Sequence, residues 1–122
     1  MWQWLIEKED WQLKMNHVMV KLGKECILLN FAEIDCIKAE GKYLRIYRGN
    51  RSYLKRQSLN SLETNLDPER FVRISRSTII NISQIKKIER TDDYKYQIRL
   101  NNDETLSWSR NYRKEFLTTM VV

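Results

Sequence analysis

From His17 onward, apolar and polar residues alternate with a period of two, the pattern of strands that bury one face. The run Tyr94-Lys95-Tyr96-Gln97-Ile98-Arg99-Leu100 shows it most clearly, with Tyr94, Tyr96, Ile98 and Leu100 on one face and Lys95, Gln97 and Arg99 on the other. His17-Val18-Met19-Val20-Lys21-Leu22 reads as a strand with His17 toward solvent. Between Tyr43 and Tyr47, Leu44 and Ile46 point inward, which puts Tyr43, Arg45 and Tyr47 on the wet face. Gly23-Lys24 and Gly49-Asn50 have the composition of tight reversals. Asn101-Asn102-Asp103 predicts a hairpin before Glu104 to Trp108, because Asn and Asp tolerate left-handed backbone and bond to their own chain. Helical signal is confined to two pieces. Ser58 caps a segment carrying Leu59, Leu62 and Leu66 that Asp67-Pro68 stops, and Ser109 caps another in which Tyr112 and Phe116 share a face that Met120 continues. The prediction is a mainly β fold of antiparallel hairpins with one or two short helices, not a parallel α/β sheet. Leu44, Ile46, Ile74, Ile79, Ile80, Ile98, Leu106 and Trp108 are its expected core, and Asn81, which interrupts an isoleucine run, is expected to bond to backbone in a turn.

The length of 122 residues fits one domain, and 42% hydrophobic residues with 3 Gly and 1 Pro exclude a disordered or collagen-like chain. No internal repeat or low-complexity stretch divides it. Residues 1–16 read as an N-terminal extension or linker and 17–122 as the domain. In the extension, Trp2, Trp4, Leu5, Ile6, Trp11 and Leu13 suit a linker, a strap on the domain or a partner-binding segment. No apolar run approaches the roughly 20 residues of a membrane span. Met1 to Leu13 carries three acids and no secretory apolar stretch, so a cytoplasmic location is expected, with no membrane partner.

Catalytic and metal chemistry find little support. Cys26 and Cys36 lack the paired spacing of a redox or zinc motif, and His17 is the only imidazole, whereas a zinc site takes three or four ligands. Asp92-Asp93 and Asp103-Glu104 read as turn acids rather than a catalytic pair. No enzyme activity, cofactor or small-molecule substrate is expected.

Charge is more informative. The net charge is +6, and residues 41–90 hold 12 Lys/Arg against 4 Asp/Glu. Within them Lys42, Arg45, Arg48, Arg51, Lys55 and Arg56 follow with no intervening acid, interleaved with Tyr43, Tyr47 and Tyr53. Such clustering is the footprint of a nucleic-acid face, where each neutralised phosphate releases counterions. A solvated strand edge protected by charge is the other reading.

The segment Phe71-Val72-Arg73-Ile74-Ser75-Arg76-Ser77-Thr78-Ile79-Ile80-Asn81-Ile82, then Ile85 and Trp108-Ser109-Arg110-Asn111-Tyr112, resembles the LytTR-type DNA-binding domain of bacterial LytR/AlgR-family transcription regulators. Ile34-Asp35-Cys36-Ile37-Lys38-Ala39-Glu40-Gly41-Lys42-Tyr43 and Ser58-Leu59-Asn60-Ser61-Leu62-Glu63 fit the same family in order and spacing, so the likeness runs from Val18 to Leu117. Ser75 stands where the family often has His, and Lys42 where it often has Asn. The resemblance implies an elongated arrangement of antiparallel sheets with about ten strands. It also implies that loops enter successive major grooves at imperfect direct repeats upstream of promoters, often with bending of the duplex; direct repeats would suit a second copy in tandem, although no zipper or other dimer signature is visible in the chain.

Carried onto this chain, the resemblance makes reading loops of the regions around Gly41-Lys42-Tyr43, Ser75-Arg76-Ser77 and Ser109-Arg110-Asn111. Arg76 and Arg110 are the leading base contacts, since a planar guanidinium bonds guanine O6 and N7 together; an ion pair or a carbonyl clamp is their other reading. Lys42 is grouped with them, with a phosphate contact as its alternative. Tyr43, Arg45, Arg48, Arg73, Ser75, Ser77, Ser109 and Asn111 are assigned to the DNA backbone; for the arginines solvation is the alternative, for Tyr43 packing, and for Ser109 a simple helix cap. Two other functions compete with double-stranded DNA binding. One is an RNA-binding β module that stacks bases on Tyr43, Tyr47 and Tyr53, and the other is a protein-interaction domain whose basic face meets an acidic partner.

Overall fold

A computed structural model describes residues 17–93 and 95–113. The Trp-rich extension, Tyr94, Phe116 and Met120 lie outside the described residues.

The alternation yields ten strands there: β1 (His17–Leu22), β2 (Glu25–Asn30), β3 (Cys36–Glu40), β4 (Tyr43–Arg48), β5 (Arg51–Lys55), β6 (Phe71–Ser75), β7 (Thr78–Asn81), β8 (Ile85–Arg90), β9 (Tyr96–Leu100) and β10 (Thr105–Trp108). A short helix α1 (Leu59–Glu63) and two 3-10 turns, Phe31–Glu33 and Ile82–Gln84, interrupt them. Ser58 caps α1 by accepting from the Ser61 N–H, and the helix stops before the predicted Leu66, which is buried in the turn beyond it. A helical turn also begins at Arg110, where the Tyr112 N–H donates to the Ser109 carbonyl.

All pairings are antiparallel and form three sheets: β1-β2, β5-β4-β3-β7-β6 and β8-β9-β10. The predicted reversals are present at Gly23, Gly49 and Asn101-Asn102-Asp103, where Asp103 takes φ 68°.

The five-stranded sheet is covered on both faces. On one face β1-β2 and α1 bring Val18, Val20, Leu29, Leu59 and Leu62 against Ile37, Leu44, Ile46 and Ile79. On the other, β8-β9-β10 bring Ile98, Leu100 and Trp108 against Cys36, Val72, Ile74 and Ile80. Double burial explains the unalternating run Thr78-Ile79-Ile80-Asn81, in which every residue is buried. It also corrects two expectations. Tyr47 is not on a wet face but packs against the second core, with the Lys38 ammonium 5.3 Å from its ring centre, and Leu106 is only half-buried at the edge of that core.

Asn81 bonds to backbone as expected. Its amide donates to the Phe31 and Ile34 carbonyls and its Oδ1 accepts from Ser83, so it joins the two 3-10 turns. Cys36 lies inside the second core, where burial pushes its thiol up to about 12. Among the described residues no helix is long and apolar enough to cross a membrane, and no three metal-ligating side chains gather.

Candidate nucleic-acid interface

Strand direction sorts the basic residues. β3 ends, β4 begins, β6 ends and β7 begins at the same end of the five-stranded sheet, as the pairs Glu40↔Tyr43, Lys38↔Thr78 and Ser75↔Thr78 require. The Gly41-Lys42 turn and the Arg76-Ser77 turn therefore stand side by side. Strands are spaced about 4.8 Å apart, so the two turns are separated by roughly 10 Å. The Ala39 N–H donates to the Ser77 carbonyl at 2.8 Å and ties the second turn to β3. The Ser109 N–H donates to the Ile74 carbonyl at 2.7 Å, which places Ser109-Arg110-Asn111 beside the end of β6. Three segments distant in the chain thus form one row.

Each turn has a local cause. Gly41 takes φ +59°, a left-handed conformation that costs a residue with a Cβ and lets β3 reverse tightly into β4. Between β6 and β7 the register shifts at Arg73/Ser75, a bulge that re-aims the strand end. Ser75 Oγ then accepts from the Ser77 N–H at 3.2 Å and lies 3.4 Å from Ser77 Oγ, closing the turn with its own hydroxyls.

Lys42, Tyr43, Arg76, Ser77, Arg110 and Asn111 are exposed in this row, and Ser75 and Ser109 are half-buried within it. Among the described residues no carboxylate pairs with Lys42, Arg76 or Arg110. An open groove of about 940 Å³ continues from the row, lined by Ser75, Lys95, Trp108, Ser109, Arg110 and Arg113. The Arg113 guanidinium stacks on the Tyr96 ring at 4.5 Å.

The remaining arginines divide. Arg45 lies near the row with its Nε bonded to both Glu40 oxygens at 2.9 and 3.0 Å and its Nη1 to Ser52 Oγ; the Glu40 hydrogen bond raises its pKa against a smaller effect of burial. Arg48 is at the opposite end of β4, roughly 17 Å away by strand length. There it pairs with Glu33 and bonds and stacks on Tyr53. Arg73 is turned inward, its side chain 10% exposed. Three cations that the sequence did not assign to DNA lie near the row: Arg113 in the groove wall, Lys95 and Arg56. Lys95 lines the groove, and exposed Arg56 directly follows β5, whose Lys55 pairs with Leu44 beside Tyr43. Hairpin arithmetic from Gly49 finds Arg56.

Comparison with known proteins bears on the family and the fold. The family model described as the LytTr DNA-binding domain matches residues 24–120. A sensory transduction protein LytR of Staphylococcus epidermidis is 30% identical over 112 residues, covering 91% of this chain and 44% of that protein. A transcriptional regulatory protein LytR of Staphylococcus aureus (strain N315) is 35% identical over 97 residues, covering 80% of this chain and 39% of that protein. The chain thus spans less than half the length of these relatives. A solved LytTr DNA-binding domain from Bacillus cereus superposes with a TM-score of 0.75 at 23% identity, covering 84% of this chain and 94% of that one, a likeness of fold. With its sequence matched over most of its length and its three antiparallel sheets matched in space, the chain belongs to the LytTr DNA-binding domain family.

Proposed function

We propose that this chain is the DNA-reading output domain of a bacterial transcription regulator and that its row of turns enters the major groove. The observation that carries the reading is the exposure of Lys42, Arg76 and Arg110 on adjacent segments at one end of the central sheet. Arg76 and Arg110 read base edges, each good bidentate pair discriminating by about 1–3 kcal/mol, and Lys42 contacts a base from the first turn. Tyr43, Arg45, Ser75, Ser77, Ser109 and Asn111 hold the DNA backbone and set register. Arg45 exchanges Glu40 for a phosphate, since the pair it leaves is an exposed one. Arg48 stands a strand's length from the row, and Arg73 is engaged inside the protein, so neither is assigned a DNA contact. Tandem copies on direct repeats about one helical turn apart would lie on one side of the duplex. Such a regulator works in the cytoplasm, where the bacterial chromosome is.

RNA stacking has less support. A β-sheet that stacks unpaired bases needs aromatic rings on an open face. Tyr53 is buried in the first core and Tyr47 packs on the second, which leaves Tyr43 alone.

Selection of bound sequences from a random duplex pool tests the proposal. Short repeats should be recovered. Arg76→Ala and Arg110→Ala should each lose preference for them while keeping weak nonspecific binding, and Arg45→Ala should weaken all duplexes alike. Arginine variants that bind selected and random duplex in the unchanged ratio refute the base-contact assignment, and preference for single-stranded RNA refutes the DNA reading.

A further inference from the structure

Arg73 projects from edge strand β6 on the side of α1. Its Nε donates to the Ser75 carbonyl at 3.1 Å and its Nη2 to the Arg76 carbonyl at 2.6 Å, so one planar group holds two successive carbonyls of the β6–β7 turn. Nη1 donates to Asn60 Oδ1 and lies 3.5 Å from Glu63 Oε1, which anchors the same group on α1. The guanidinium carbon sits 5.3 Å from the ring centre of Tyr112, in the helical turn that Arg110 begins. A single side chain, 10% exposed, therefore touches the turn that carries Arg76 and the turn that carries Arg110.

We infer that Arg73 is a positioning residue that locks the Arg76 and Arg110 turns into one rigid reading unit, so that base discrimination by either arginine depends on it. The inference rests on the DNA reading above. The chemistry requires arginine: its fixed fork satisfies two carbonyls and an amide while its flat face stacks, whereas a lysine ammonium is a point donor with no face. Arginine discrimination needs the guanidinium held in the plane of a base edge, and a turn free to rock loses that alignment. The prediction is opposite to that for a phosphate contact. Loss of a phosphate contact weakens all duplexes and lowers the salt slope by about 0.9, whereas loss of positioning lowers the specific-to-random ratio at an unchanged slope.

The test uses the full chain, a duplex selected by the wild type from a random pool, and a random duplex of equal length, titrated across salt, with thermal unfolding followed in parallel. Arg73→Gln should lower the specific-to-random ratio about tenfold while the affinity for random duplex and the salt slope stay as in the wild type. Arg73→Lys should keep the charge and fail to restore the ratio. Tyr112→Leu, which removes only the stack and leaves every sheet ladder intact, should lower the ratio in the same direction and keeps the question answerable should Arg73→Gln not fold. Arg76→Ala should cost less in the Arg73→Gln background than in the wild type. An unchanged ratio in Arg73→Gln and Tyr112→Leu, or a lowered salt slope, overturns the inference alone. A wild type with no preference for any selected duplex overturns the DNA reading as well.

Discussion

Asn81 offers a comparison with an internal control. The two 3-10 turns are capped by the same residue type: Asn30 Oδ1 accepts from the Ala32 N–H at 2.9 Å, and Asn81 Oδ1 accepts from the Ser83 N–H at 3.0 Å. Only Asn81 is fully buried, and only its amide reaches back to another element, donating to the Ile34 carbonyl at 2.9 Å and the Phe31 carbonyl at 3.3 Å. Replacement of either Asn by Ala loses a cap, about 1 kcal/mol. Asn81→Ala additionally leaves the Ile34 carbonyl without its donor, about 1–3 kcal/mol. The Phe31 carbonyl retains the Ile34 N–H at 3.2 Å and adds little. The expected losses are about 1 kcal/mol for Asn30→Ala and about 3 kcal/mol for Asn81→Ala, the latter a large share of the roughly 5–15 kcal/mol that holds a domain together. Urea unfolding followed by tryptophan fluorescence measures both, and the midpoint should fall at constant slope. Equal losses for the two variants would refute the tertiary role assigned to Asn81.

Two further expectations concern a turn and the thiols. A Cβ at Gly41 meets nothing within 4 Å, so Gly41→Ala is penalised only by its φ of +59°, about 1–2 kcal/mol by thermal unfolding; Gly41→Asn should cost less, and a neutral Gly41→Ala refutes the backbone argument. Burial holds Cys36 protonated, with its pKa pushed up to about 12, and Cys26 is exposed. A disulfide reagent at mildly alkaline pH should therefore titrate one thiol quickly and the second only on unfolding, and two fast equivalents would contradict the burial.

Much of the architecture is local in origin. Gly23, Gly49 and Asn101-Asn102-Asp103 reverse the chain because of what those residues permit their own backbone, and Ser58 caps its helix from three positions away. The far placement of Arg48 is also a local matter: it adjoins Gly49, so it belongs to the opposite hairpin from Gly41. The expected wet side of β4 is a different case. It assumed a sheet covered once, and nothing between Tyr43 and Tyr47 encodes that β8-β9-β10 will fold over the other face.

The same limit separates Arg73 from Arg76. Three positions apart on one basic segment, they are equivalent in composition, yet one is enclosed by Asn60, Glu63 and Tyr112 and the other is exposed. By itself the sequence determined the strands, the reversals, the polar plug at Asn81 and the family resemblance, because each rests on neighbouring residues or on ordered motifs. Only the tertiary structure decided that three distant turns form one row and which cations are presented there. Exposure and pairing depend on groups brought together from opposite ends of the chain, and a pattern read along the backbone holds no information about distance across it.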